Sequence, residues 1–143
     1  MLDIHAGSTR LSYDPTRWTQ EPSTDRTKMT FQHADGDGYA LVIRERLQMS
    51  LDALKEIALN NAMQAAPDAK IVFEEPRVVN GTKVLCLVIE GTTSGIAFTY
   101  YGYYYSGKSG IVQIVTYTGQ NLFEEYKPDF EDFLNGFEVV SAQ

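Results

Sequence analysis

Apolar and polar positions alternate in short runs along most of this chain, with two interruptions where the apolar residues recur at helical spacing instead. The densest run lies between Asn80 and Gly119 and reads TKVLCLVIE, GIAFTYYGYYYS and GIVQIVTYT, with turn residues between the pieces. These are three consecutive antiparallel strands around which the rest is organised. Asn80-Gly81, set between the apolar runs IVFEEPRVV and TKVLCLVIE, is a hairpin signal, because both central residues of a tight primed turn need positive φ. Gly91 to Gly95 and Ser106 to Gly110 mark the next two crossings. Val84 to Ile89 shows no polar alternation, which predicts a central strand buried on both faces. By parity, the following strand places Ile96, Phe98, Tyr100 and Tyr104 on one face. Ala97, Thr99, Tyr101, Tyr103 and Tyr105 fall on the other, with Gly102 a candidate bulge.

Upstream, residues 10–20 hold a short extended piece ending in Pro15 and Trp18, a plug for an edge or end of the core. KMTFQH and GYALVIRERL form a second hairpin through Ala34 to Gly38. Ser50 is a favourable N-cap, with Asp52 in the first turn. The helix that follows carries Leu51, Leu54, Ile57, Ala58, Ala62 and Ala65 on one stripe. Asn61 falls inside that stripe, so either it has a buried partner or the stripe is narrower. Leu59 and Met63 lie on the polar side, as scattered surface residues or as a small contact patch. Asn121 and Glu124 have capping-box spacing for a second helix with Leu122, Phe123, Tyr126, Phe130, Phe133 and Leu134 on one side. Pro128 predicts a kink or restart there, Gly136 a C-terminal cap, and FEVV a last strand. The sum is an α+β fold, a sandwich with a helix for each face of a largely antiparallel sheet. Residues 1–10 read as an N-terminal tail and 11–143 as one domain.

The formal charge of −7 argues against nucleic acid or an anionic membrane as a partner through general electrostatics. Cys86, the single cysteine, sits in the most apolar strand and reads as a small buried hydrophobe. No apolar run is long enough to span a membrane as a helix. MLDIHAGSTR lacks the apolar core of a signal peptide, which fits a trimmed leader or a removed upstream domain as well as a short cytoplasmic protein.

Candidate chemistry is sparse. His33, Asp35 and Asp37 resemble part of a calcium loop, but the remaining ligands are missing, and a glycine-rich hairpin turn accounts for them. His5 and His33 belong to no catalytic motif, and no nucleophile elbow, phosphate loop or dinucleotide fingerprint is present. Glu45, Glu74, Glu75 and Glu90 could converge as strand carboxylates, or pair with Arg44, Arg46 and Arg77. No catalytic residue, metal ligand or cofactor is therefore assigned. The unusual feature is tyrosine, five of them between Tyr100 and Tyr105, with Tyr117 and Tyr126 beyond. Tyrosine suits a cross-strand ladder inside a sheet and also a wet binding surface. If the group forms a binding site, its residues are Tyr101, Tyr103 and Tyr105, because the opposite face starts with Ile96 and Phe98, which read as core.

The order of pieces resembles the PsbP and DcrB-like family, whose superfamily includes the Ran-binding Mog proteins. It comprises Tyr13-Asp14-Pro15 with Trp18, Arg44-Glu45-Arg46 at a strand end, and Ser50-Leu51-Asp52 at a helix start. The Asn80-Gly81 hairpin, the tyrosine-rich pair and the closing Asn135-Gly136-Phe137-Glu138-Val139 complete it. The likeness runs from about Leu11 to Val140. It implies an α/β/α sandwich without a shared catalytic site, acting as a non-catalytic protein-binding or accessory module with another protein as partner. Members include an extrinsic photosystem II subunit, a Ran-binding factor and exported or lipid-anchored bacterial proteins, so an extracytoplasmic location is implied. None of the photosystem branch's docking or ion-binding residues maps onto a position here. The alternative is a small-molecule-binding or enzymatic domain with a pocket beside the tyrosine-rich strands.

Overall fold

Asn80 and Gly81 take φ of 50° and 80°, and Ser94 and Gly95 take 51° and 81°. Paired positive φ values of this kind match the twist of antiparallel strands and close tight hairpins. They join β6 (Lys70–Val79) to β7 (Thr82–Thr93), and β7 to β8 (Ile96–Gly107), with β9 (Gly110–Gly119) next. The computed structural model describes residues 8–25, 27–108 and 110–140, together with the backbone of residues 2–6. The remaining elements are β1 (Leu2–Ala6), β2 (Thr9–Tyr13), β3 (Trp18–Glu21), β4 (Lys28–His33), β5 (Tyr39–Glu45), α1 (Leu51–Ala65), α2 (Phe123–Leu134) and β10 (Phe137–Val139).

Seven strands form one antiparallel sheet in the order β3-β4-β5-β9-β8-β7-β6, and a second sheet runs β1-β2-β10. The chain is thus an α+β sandwich. The three strands from Thr82 to Gly119 lie inside the large sheet as expected, each flanked on both sides. The N-terminal tail expected over residues 1–10 is corrected: Leu2 to Ala6 pair in register with Tyr13 to Thr9. The alternation of Leu2, Ile4 and Ala6 is a strand signal, and the paired edge of β2 gives it a template.

One face of the large sheet is covered by α1, where Leu54 and Ala58 pack on Leu85, Leu87, Tyr104 and Ile111. The Ser50 hydroxyl accepts from the Ala53 N–H at 3.1 Å, so the expected cap is present. Asn61 is exposed, which settles its place: the buried stripe is narrower than the sequence suggests. On the other face, α2 and the small sheet enclose a larger core containing Trp18, Phe31, Tyr101, Tyr103, Ile114, Phe130, Phe133 and Phe137. Trp18, on edge strand β3, packs against His33, Phe130 and Phe133 and plugs the end of this core.

The second helix departs from expectation in three ways. Asn121 lies in a 3-10 turn over Gln120–Leu122, and the cap position falls to Leu122 with no side-chain hydrogen bond. The helix also runs unbroken through Pro128. Gly136 does not cap by left-handed geometry; a Cβ there would collide with the Ser12 carbonyl oxygen, and the Ser12 N–H donates to the Gly136 carbonyl at 3.0 Å. This glycine is needed because two backbones meet there.

Candidate functional site

The tyrosine-rich strand is where the structure corrects the sequence most. Tyr101 and Tyr103 are 1% and 3% exposed, and Tyr105 is half-buried, so this face is core and not a solvent-facing surface. The rings meet α2 and β10, with Tyr101 edge-on to Phe123 at 5.7 Å and Tyr105 against Phe137 at 5.4 Å. Ile96, expected to open the core face, is 57% exposed. Gly102 forms no bulge, since Leu87, Gly102 and Val115 stay in register. A Cβ at Gly102 would lie 2.8 Å from the Ile114 carbonyl oxygen.

Burial of the phenols is made tolerable by a cation that the sequence reading placed only as a pairing residue. Arg77 of β6 donates to the Tyr101 hydroxyl at 2.9 Å and to the Tyr103 hydroxyl at 3.2 Å, and through Nε to Glu75 at 2.6 Å. The Tyr103 hydroxyl donates in turn to Asn135 Oδ1 at 2.7 Å, tying the end of α2 to the sheet. The guanidinium carbon stands 6.0, 5.9 and 5.8 Å from the ring centres of Phe73, Tyr101 and Tyr103, within cation–π range. Burial pulls the Arg77 pKa down, but the hydrogen bonds with Glu75, Tyr101 and Tyr103 outweigh it, and the net shift is upward. Desolvation raises the pKa of both tyrosines, with the Arg77 hydrogen bond opposing it. The cluster is therefore one fixed cation between the Glu75 carboxylate and two neutral phenols.

Around this cluster β6 presents large apolar side chains to solvent: Val72, Phe73 and Val78 are 44%, 43% and 70% exposed. β6 is an edge strand, paired only with β7. Phe73, Glu75 and Arg77 share the face that carries α2, while Glu74, Pro76 and Val78 share the face that carries α1, where Glu74 meets Lys55 at 2.7 Å. The sequence signal for this edge is Pro76, since proline inside a strand belongs at an edge. A second aromatic row crosses the α1-side face, with Tyr39 stacked on Tyr117 at 5.3 Å and Tyr100 following at 5.6 Å.

The remaining candidates do not assemble into a reactive site. His33 is buried, its Nδ1 accepting the Asp35 backbone N–H at 3.1 Å and its Nε2 lying 2.8 Å from Asp129 Oδ2. The proton is therefore on Nε2, and both nitrogens are occupied. Asp129 also receives Arg17, so the group is a strut between β4, α2 and the loop before β3. Among the described residues Asp37 contributes its backbone, whose carbonyl accepts from the Thr118 hydroxyl at 2.7 Å. Among the described residues no group of three His, Cys, Asp or Glu could hold a metal ion. His5 lies in β1, its side chain outside the described residues. Glu74 and Glu75 face opposite sides, and Glu45 is exposed at a strand end. Cys86 is fully buried beside Tyr103, and desolvation pushes its thiol up to about 11.

The fold is the one seen in solved structures of PsbP and Mog1. Solved structures with this fold include cyanobacterial PsbP from Synechocystis sp. PCC 6803, 11% identical with a TM-score of 0.67, covering 93% of this chain and 87% of that one. The Ran-binding protein Mog1p of Saccharomyces cerevisiae is 9% identical with a TM-score of 0.68, over 98% and 94% of the two chains. LpqN of Mycobacterium tuberculosis, involved in cell envelope biogenesis, is 9% identical with a TM-score of 0.64, over 98% and 90%. No protein-family model and no curated protein matches the sequence. Among the described residues no helix is long and apolar enough to cross a membrane.

Proposed function

We propose that this domain is a non-catalytic protein-binding module that takes an extended segment of a partner protein along the free edge of β6. The observation that carries the reading is the exposure of Val72, Phe73 and Val78 on an edge strand, beside Arg77 held in place by Tyr101 and Tyr103. An added strand gains main-chain hydrogen bonds from the edge and places alternate side chains on its two faces. Phe73 supplies apolar area, and Arg77 offers a preorganised donor to a carbonyl or carboxylate of that segment.

The non-catalytic part is supported by the condition of the candidate groups. His33 has both nitrogens engaged, Cys86 is a buried thiol, and the strand carboxylates diverge. A partner that is a protein is also consistent with the fold, since one structure sharing it is of a Ran-binding protein. The likeness to LpqN, described as involved in cell envelope biogenesis, supports an extracytoplasmic location as part of the same proposal.

The test compares wild type with a Phe73→Glu/Val78→Lys variant whose fold is verified by circular dichroism. Each is used to capture proteins from soluble and envelope fractions of the source organism. The expected result is a protein held by wild type and lost from the variant, whose addition slows amide exchange in β6. If the same proteins are retained by both, or protection falls elsewhere, the edge is not the site.

A further inference from the structure

The chain contains two Asn-Gly steps, Asn80-Gly81 and Asn135-Gly136, and the fold brings them together. The Asn80 side-chain amide donates through Nδ2 to the Asn135 carbonyl at 3.0 Å and to the Phe137 carbonyl at 2.7 Å. These bonds latch the turn between β6 and β7 to the segment that joins α2 to β10. The same segment is held by the Tyr103 hydroxyl, which donates to Asn135 Oδ1 at 2.7 Å, and by the Ser12 N–H, which donates to the Gly136 carbonyl at 3.0 Å.

An asparagine before glycine is prone to lose its side-chain amide, because a residue without Cβ lets its backbone nitrogen approach the preceding Cγ closely. The two steps differ in their freedom to do this. At Gly136 the N–H donates to the Phe133 carbonyl at 3.2 Å, and a Cβ would strike the Ser12 carbonyl oxygen, so that backbone is clamped. Gly81 is exposed at its turn, with nothing within 4 Å of where a Cβ would stand. What holds the Asn80 side chain is its pair of bonds across to Asn135 and Phe137.

We propose that Asn80 is a modification site, deamidated when this latch opens, and that the acid left behind cannot close it again. The Gly81 backbone nitrogen attacks Asn80 Cγ; the N–Cγ bond forms, the Cγ–Nδ2 bond breaks, and the nitrogen's proton leaves with the amide as ammonia. Water then adds to one carbonyl of the cyclic imide and opens it to aspartate, or to isoaspartate with the chain rerouted through Cγ. Nothing is oxidised or reduced, and water is the only co-reactant. The amide donates to both carbonyls, whereas a carboxylate offers them only acceptors and a negative charge. Two attractions become a repulsion, and the tie between the large sheet and β10 is lost.

The experiment follows aspartate and isoaspartate at both Asn-Gly steps by peptide mapping and mass spectrometry, with the full chain held in mildly alkaline buffer, native or in urea. Both steps are expected to react alike in urea. In the native protein Asn80 should react roughly tenfold or more slowly than in urea, and Asn135 more slowly still. Tyr103→Phe frees the Asn135 side chain without touching either step, and is expected to speed native deamidation of Asn80 severalfold while leaving the rate in urea unchanged. Asn80→Asp stands for the product and is expected to melt roughly 5–10 °C below wild type at neutral pH, with amide exchange accelerated in β10. Its carboxyl faces two carbonyl oxygens, which raises the folded pKa above the unfolded value of about 3.9. The deficit should therefore grow as pH rises through the folded pKa and fade below about 3.9, where the protonated acid donates again. Equal rates at Asn80 in native protein and in urea, native Asn135 reacting ahead of Asn80, a Tyr103→Phe variant no faster than wild type, or an Asn80→Asp variant with the melting temperature and β10 exchange of wild type would each overturn the proposal.

Discussion

The Arg77 guanidinium and the Tyr101 hydroxyl, 2.9 Å apart, join an edge strand to the interior of the large sheet. One end of this pair meets solvent and the other is core, so substitutions at the two residues should separate cleanly. Tyr101→Phe retains the ring and loses one hydrogen bond to a charged group, at a cost of roughly 1.5–3 kcal/mol. Tyr101→Ala removes a fully buried ring beneath α2 and should cost about 3–5 kcal/mol. The double Tyr101/Tyr103 alanine variant is then expected to be largely unfolded. Urea denaturation monitored by circular dichroism checks this order. A double variant of near wild-type stability would restore the surface reading of this strand.

The same burial predicts a fragile alkaline limb. Desolvation raises the pKa of Tyr101, Tyr103, Tyr104, Tyr117 and Tyr126, and that of Cys86 from 9.0 to about 11. Folded pKa values above the unfolded ones mean that the native state keeps protons the unfolded chain releases. Stability is therefore full below the unfolded values and falls as pH rises, from about 9 for the thiol and about 10 for the phenols. Phenolate absorbance should rise together with loss of structure instead of preceding it. Cys86 should resist alkylation at neutral pH until denaturant is added; rapid labelling of folded protein would contradict its place in the core.

Gly136 offers a test of how the small sheet is docked. Gly136→Ala forces a Cβ into the Ser12 carbonyl, a backbone atom that can move only if β2 moves. The expected cost is roughly 2–3 kcal/mol, with amide exchange accelerated in β2 and β10 first. Gly81→Ala is the comparison, because its surroundings are open and only the positive φ of 80° opposes a side chain. That strain should cost about 1–2 kcal/mol without loosening β2. Equal exchange patterns in the two variants would show that Gly136 acts through its own backbone preference.

Much of the fold was legible because its signals are local. Asn80-Gly81 specifies its turn through φ alone, Ser50 caps its helix within one turn, and the apolar run of β7 shows that both its faces are covered. The site was less legible, since parity sorts Tyr100 from Tyr101 without saying which helix covers which face. That depends on where α1 and α2 land, and both are placed by contacts distant in sequence. Ile96 and Phe98 misled because apolar character at a strand end does not show whether anything packs on it. Arg77 was visible only as one of several charges, because its partners Tyr101 and Tyr103 lie two strands away.

Pro76 was readable, and it carries the last prediction. A proline cannot donate to a ladder, so within β6 it is accommodated where its nitrogen points away from β7. Glu74 and Val78, two residues to either side, then direct their backbone groups outward as well, and the free edge has a gap at its midpoint. That gap, with the register shift between Ile71 and Phe73, opposes pairing with another copy, which would bring the same gap, while a partner segment without a proline there still meets the outward groups of Glu74 and Val78. Pro76→Val restores the missing donor and adds a β-branched side chain. The variant is expected to fold with unchanged or slightly higher stability and to self-associate as concentration rises, while wild type under the same conditions does not. Sedimentation velocity across a hundredfold range, about what separates dilute from near-saturated samples, reads this directly. If the variant sediments like wild type throughout, Pro76 does not guard the edge, and the exposed apolar residues of β6 are protected by some other feature, with Arg77 and Glu75 the first to replace.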